Sequence, residues 1–191
     1  MSSYAQNNFG EVFQAIIRAF QPVVVVELGI LNGYSTLAIA EGLKQNGRGE
    51  LYAYDLFEDY AFKHGSKDEV EKAVAAAGIP CQGVTVQITK MDAYKVADLY
   101  HPGSVHLLHV DLSNDGETVK KIMDQWDPKM VCGGIILFEG GTEERDQVEW
   151  MQKYGRPSLK AELENNPVII EKYIMGTYLK WPGLTMLLKK R

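Results

Sequence analysis

Five short groups of residues stand immediately after apolar runs of this 191-residue chain: Glu27-Leu28-Gly29, Asp55, Met91-Asp92-Ala93, Asp111 and Glu139-Gly140. In open α/β sheets ligands bind beyond the carboxyl ends of the strands, so these are the positions at which side chains meet a ligand. Gly29 and Gly33 fall in the turn after the first run, where the missing Cβ permits a positive φ and lets a ligand approach the backbone. Asp55 follows Gly33 by 22 residues, a distance at which a carboxylate accepts hydrogen bonds from both hydroxyls of a ribose. Together they point to a nucleoside-like ligand that need not carry a pyrophosphate.

Two commoner nucleotide signatures are missing. A dinucleotide fingerprint would place glycines at 29, 31 and 34, where the chain has Gly29, Leu31 and Tyr34, and no Gly-Lys-Ser/Thr supplies a phosphate loop. Three further residues have two readings each. Asp92 can cap the helix that follows it or touch a ligand. His109 precedes Asp111 by two residues and so shares its strand face, which makes it either a general base or a satisfied core histidine. Asn114 either caps the next helix, with Glu117 three residues on, or has a functional role beside Asp111. His64, after the second strand, is an alternative base, whereas His101 and His106 read as structural.

The elements that must hold these residues follow from periodicity. Phe9, Phe13, Ile16, Ile17 and Phe20 share one helical face, Pro22 stops that helix, and Val23 to Val26 form a strand buried on both faces. Leu37, Ala40 and Leu43 mark a second helix ending near Gly47, and Leu51 to Tyr54 a second strand. Ser66 and Glu69 have capping-box spacing before Val70, Ala73, Val74 and Ala77. Val84 to Thr89 and Val105 to Val110 are strands flanking a short helix over Asp92 to Tyr100, and Val119, Ile122, Met123 and Trp126 form the stripe of the next helix. Ile135 to Phe138 is a fifth strand and Thr142 to Lys153 a helix. Trp150 and Tyr154 end that helix before Gly155 to Pro167, a segment that either covers an acceptor or packs at an edge.

Strands alternating with helices imply parallel pairing and a doubly wound α/β sheet, Rossmann-like, with helices on both faces. The end of the chain departs from that rule. Val168 to Met175 and Leu184 to Lys189 are strand-like, and the residues between them suffice only for a hairpin. The last residues, Lys189-Lys190-Arg191, read as a solvated tail.

Composition narrows the function classes. With 46% hydrophobic and 24% charged residues the chain is ordinary globular protein, and its length suits one domain, residues 1–191. The net charge is −5 and neither half is basic, so a grip on nucleic acid by counterion release has no support. Cys81 and Cys132 lack the spacing of a zinc site or a disulfide framework; buried thiols in a reducing cytosol are expected, and hence a cytoplasmic protein. Met1 to Gly10 carries no signal-peptide pattern, and the run Val23 to Leu31, interrupted by Glu27, is too short to span a membrane.

Glu27 to Ser35, with Asp55, Asp111 and Glu139 at successive strand ends and a closing hairpin, resembles the class I S-adenosylmethionine-dependent methyltransferases. The form Glu-x-Gly-x-x-x-Gly-Tyr-Ser is closest to the catechol and macrolide-sugar O-methyltransferase type. The resemblance spans roughly residues 9 to 190. It implies a seven-stranded sheet in the order 3-2-1-4-5-7-6 with strand 7 antiparallel, which the terminal hairpin also favours. It further implies that Glu27, Gly29, Gly33 and Ser35 surround the methionine part of S-adenosylmethionine and that Asp55 holds the ribose. Leu56 would touch the adenine, Asp92 and Ala93 its amino edge, and Asp111 would face the sulfonium and the substrate.

The chain departs from the metal-dependent catechol pattern at two points. Where that branch has an Asp-Asn pair after strand 5 and a lysine three residues beyond the strand-4 Asp, this chain has Glu139-Gly140 and Asn114. Two carboxylates make a thin site for Mg²⁺, which prefers six oxygens, so weak or absent dependence on a divalent metal is expected. The implied function is methyl transfer to an oxygen, or a nitrogen, of a small-molecule acceptor. A noncatalytic domain binding S-adenosylmethionine or S-adenosylhomocysteine is the rival from another class, and a nucleotide-dependent oxidoreductase a weaker one.

Overall fold

The computed structural model describes residues 3–191, and its order of elements follows the apolar periodicity. A single-turn helix α1 (Ser3–Gln6) leads into α2 (Phe9–Phe20), which buries Phe9, Phe13 and Ile17. The ring of Tyr4 sits 5.2 Å from that of Phe9 and 5.0 Å from that of Phe13. Phe20, expected on the same stripe, is exposed, because the chain turns left-handed at Gln21 directly after it. Strand β1 (Val24–Leu28) follows, then α3 (Tyr34–Asn46), β2 (Gly49–Asp55), α4 (Lys67–Ala76) and β3 (Val84–Lys90). β1 and β3 both pair parallel to β2, which aligns Leu28 with Tyr54 and Asp55 with Lys90. Together with the preceding residues these elements make one compact unit ending at Val96. The helix expected over Asp92 to Tyr100 is a 3₁₀ helix, Ala93–Leu99.

The second compact unit is Ala97–Arg191. It contains β4 (Val105–Val110), α5 (Gly116–Trp126), β5 (Met130–Glu139), α6 (Glu143–Asp146), α7 (Glu149–Lys153), α8 (Leu159–Asn165), α9 (Pro167–Lys172), β6 (Tyr173–Tyr178) and β7 (Leu184–Lys189). All four residues of the expected α5 stripe, Val119, Ile122, Met123 and Trp126, are fully buried, and burial of each of the first three is worth about 1.5–3 kcal/mol. β4 and β5 are parallel, while β7 runs antiparallel to both β5 and β6. The seven strands form one sheet in the order β3-β2-β1-β4-β5-β7-β6, the order the resemblance implied, with the antiparallel β7 that the terminal hairpin also favoured.

Several local expectations are corrected. The helix over Thr142 to Lys153 is two helices, because Val148 takes an extended conformation between α6 and α7. The strand expected from Val168 begins only at Tyr173. Asn166 accepts hydrogen bonds from the backbone N–H of Val168 and Ile169, Pro167 occupies the first helical position, and the apolar run Val168-Ile169-Ile170 is wound into α9. β5 starts at Met130, five residues before its densest apolar run. The cysteines are not buried: Cys132 is exposed and Cys81 half-buried, both as free thiols. The lysines near the end are not merely solvated either. Lys189 Nζ donates to Asp127 O and Met130 O, and Lys190 Nζ to Ile170 O and Glu171 O.

Candidate functional site

In the first unit the residues singled out after β1 and β2 converge on one turn. Glu27 is fully buried in β1 and accepts a 2.5 Å hydrogen bond from Thr36 Oγ1 of α3. Gly29 N donates to Tyr54 O at the end of β2, and Ser35 is buried in the first turn of α3. Asp55, expected to hold a ribose, is strongly engaged by the chain itself. Its Oδ2 accepts from Ile30 N at 2.7 Å and Leu31 N at 3.1 Å, and its Oδ1 from Phe57 N at 2.6 Å. Leu31 (φ 52°) and Phe57 (φ 49°) are both left-handed, a conformation that costs a non-glycine residue about 1–3 kcal/mol. Asp55 therefore clamps the two strained residues flanking the site. A carboxylate has about four acceptor positions, and three are used, leaving room for one ligand hydroxyl rather than two.

Gly33 is left-handed (φ 77°), and a Cβ there would lie 2.7 Å from Val70 Cγ1. The close approach that demands glycine at this position is made by α4 and not only by a ligand. Gly65 shows the same constraint more sharply, since a Cβ would stand 1.8 Å from Leu31 O. No sequence pattern marked Gly65; it sits in an irregular loop between His64 and Ser66, and only the approach of two loop backbones explains it. Met91 N donates to Asp55 O, which brings Asp92 and Ala93 beside the same strand ends. Asp92 Oδ1 accepts from Tyr94 N at 3.0 Å, the capping reading, and Ala93 is buried while Leu56 is half-buried. His64 is exposed, with Nδ1 3.3 Å from Gly65 O.

In the second unit the strand ends of β4 and β5 hold a buried polar cluster. Asn114 Nδ2 donates to Asp111 Oδ1 at 3.0 Å and to Glu139 Oε2 at 2.5 Å. Arg145 Nη2 lies 3.8 Å from the same Glu139 oxygen, and its guanidinium carbon 5.8 Å from the Trp150 ring. Asn114 is not the helix cap that its type suggested. Asp115 caps α5 instead, accepting from Thr118 N at 2.9 Å, while Asn114 adopts φ 46° and turns its side chain inward. Loss of solvation pushes the Asp111 carboxyl well above the usual carboxylate range, and the neighbouring Glu139 adds to the shift against opposition from Asn114 and Arg145. His109 is fully buried, while Asp111 keeps some exposed surface. His106 is half-buried and desolvation lowers its pKa; His101 is exposed.

Arg145 escaped the sequence reading. It is a lone cation in Glu143-Glu144-Arg145-Asp146, and only the Thr142 cap of α6, which accepts from Arg145 N at 3.3 Å, turns it toward Glu139. The donor set does not suit Mg²⁺. The group between the two carboxyls is an amide N–H₂, a donor, where an oxygen-seeking ion needs acceptors. Among the described residues no three His, Cys, Asp or Glu side chains gather in a way that could hold a metal ion.

Residues 26–139, more than half of the chain, match the family described as a methyltransferase domain. The chain belongs to that family. The matched stretch of this methyltransferase domain runs from within β1 to the last residue of β5, so it contains Glu27, Asp55, Asp111 and Glu139. Among solved structures, the SAH-bound methyltransferase PaMTH1 of Podospora anserina is 22% identical over 100% of this chain and 80% of its own, with a TM-score of 0.65. An O-methyltransferase of Bacillus cereus in complex with SAH is 17% identical over 100% of this chain and 83% of its own, TM-score 0.64. The O-methyltransferase TomG of Streptomyces achromogenes, involved in tomaymycin synthesis and solved with SAM, is 16% identical over 100% and 82%, TM-score 0.63. At such identities the likeness speaks for the shared fold. No curated protein matches the sequence.

Proposed function

We propose that this methyltransferase-family chain transfers the methyl group of S-adenosylmethionine to an oxygen of a small-molecule acceptor, within a single domain of residues 1–191. The observation that carries the reading is the Asp55 clamp on the turn Gly29 to Gly33, which shapes a backbone cradle at the strand ends inside the matched region. The residues present fit the cofactor: a glycine turn for close approach, one free acceptor position on Asp55 for a ribose hydroxyl, and Ser35, Leu56, Asp92 and Ala93 around them. That O-methyltransferases with SAH or SAM bound share the fold supports the same donor and the same acceptor atom.

When bound, S-adenosylmethionine supplies a methyl group on a cationic sulfur. The chain's own contribution is alignment and exclusion of water, which count for much of such a barrier because displacement needs an in-line approach. Asp111 is assigned the acceptor side, where its carboxyl hydrogen-bonds the acceptor hydroxyl and, in its ionised form, can receive its proton. His109, with no exposed surface, cannot itself meet an acceptor without movement. Two free cysteines and a net charge of −5 support a cytosolic protein without a nucleic-acid partner. No helix among the described residues is long and apolar enough to cross a membrane.

Calorimetric titration with S-adenosylhomocysteine and, separately, NAD(H) tests the cofactor, with binding of the first alone expected. Incubation with labelled S-adenosylmethionine and a metabolite pool tests catalysis. Binding without any labelled product would favour the noncatalytic alternative.

A further inference from the structure

Asp111 directly follows β4 and Glu139 ends β5, and their carboxyls are brought together on one donor, Asn114 Nδ2, at 3.0 and 2.5 Å. Two such groups repel when both are ionised, and a folded protein must hold them with a shared proton, a bound cation or fixed donors. Fixed donors are present here. Asn114 Nδ2 touches both carboxyls, and Arg145 stands behind Glu139. Asn114 is 3% exposed, Glu139 4% and Arg145 9%, so these three side chains are interior. The chain bends to make this arrangement, with Asn114 left-handed and Asp115 taking over the helix cap. Turning the amide over would set its oxygen against two carboxyl oxygens, so the N–H₂ group faces them even though Asn114 Oδ1 is then buried with no partner among the described residues.

We propose that the Asn114 amide and the Arg145 guanidinium together act as a built-in cation, holding the Asp111–Glu139 pair closed where a divalent ion would otherwise be needed and thereby excluding such an ion. Both are positioning residues: they fix the Asp111 carboxyl at the end of β4 without touching the acceptor. The value of that placement for methyl transfer rests on the function proposed above. The exclusion of the ion does not, so its test avoids activity altogether.

The experiment is titration with Mn²⁺ followed by electron paramagnetic resonance of the free ion, on the wild type and on the double variant Asn114→Asp/Arg145→Gln, with thermal melts in the presence and absence of Mg²⁺. The wild type should leave Mn²⁺ free and melt at the same temperature with or without Mg²⁺. The double variant, with three carboxylates and no internal cation, should gain a saturable Mn²⁺ site and be stabilised by Mg²⁺. Asn114→Asp alone, which keeps the arginine, should gain less and serves if the double variant does not fold. Saturable Mn²⁺ binding by the wild type that disappears in Asp111→Asn overturns the proposal. So does a folded variant set that gains no Mn²⁺ binding.

Discussion

Asp55 illustrates how much a single carboxylate can be asked to do. Because it clamps Ile30, Leu31 and Phe57 as well as offering a ligand position, Asp55→Ala should lower stability as well as affinity. The expected loss in each is about 1.5–3 kcal/mol, the range for charge-assisted hydrogen bonds, read as a lower melting temperature and a roughly 10- to 100-fold weaker S-adenosylhomocysteine titration. An unchanged melting temperature would show that the clamp contributes nothing. Gly33→Val should destabilise by about 1–3 kcal/mol from backbone strain alone, with the contact to Val70 adding to it, so its binding defect cannot be credited to the cofactor without a melt alongside. Asp111 gives a pH signature. Its pKa is raised on folding, so the native state holds a proton that the unfolded chain releases, and its contribution to stability falls as pH rises from the ordinary carboxylate range toward the native pKa. Asp111→Asn should therefore melt higher than the wild type at pH 7, with the difference shrinking toward pH 4.

At the scale of elements, short helices here depend on their caps. α9 exists because Asn166 supplies two acceptor bonds and Pro167 starts the turn; its residues Val168, Ile169 and Ile170 would by themselves prefer a strand. Asn166→Ala should cost about 1 kcal/mol and lower the helical signal in circular dichroism, and an unchanged melt would assign α9 to packing instead. α5 makes the complementary point. Its apolar stripe was legible as a 3.6-residue repeat, but which of two adjacent residues caps it was not, because Asn114 and Asp115 are both good caps. Burial decided, sending Asn114 to the carboxyls and leaving Asp115 for Thr118.

Within the second unit, Asp127 is the tie between the α5–β5 connection and the end of the chain. It takes hydrogen bonds from Lys172 at 2.7 Å and from the Tyr173 hydroxyl at 3.0 Å, and an ion pair with Lys189 at 3.1 Å. Burial by itself would raise its pKa, but the bonds from Lys172, Lys189 and Tyr173 outweigh it and the net shift is downward. The stability this confers is present above the ordinary carboxylate range and is lost as pH falls through the lowered native value. Asp127→Asn should cost about 1.5–3 kcal/mol at pH 7, mostly from Tyr173 and Lys189 since Lys172 is largely exposed. It should also flatten the acid limb of the stability curve, and a variant with the wild-type acid limb would place that dependence elsewhere.

The succession of strands and helices along the chain and the closing hairpin were determined by local pattern: apolar runs of strand length, helices of sufficient length between them, and a last connection too short to cross the sheet. The order of the strands across the sheet came from the resemblance and not from that pattern. Asp55 and Glu139 are the last residues of β2 and β5, and Gly29 and Asp111 directly follow β1 and β4, since a strand's end is visible wherever its apolar run stops; Glu27 lies inside β1 and Gly33 stands at the start of α3. What those residues touch was decided only in three dimensions. The Asp55 carboxyl meets backbone N–H groups 24 and 25 residues away, Gly65 meets the Leu31 carbonyl oxygen, and Arg145 and Asn114 meet Glu139 from different connections. A hydrogen bond between segments leaves no periodicity in either one. Its partners are chosen when burial removes water and each polar group must find another, a choice that depends on the packed chain and not on any stretch of its sequence.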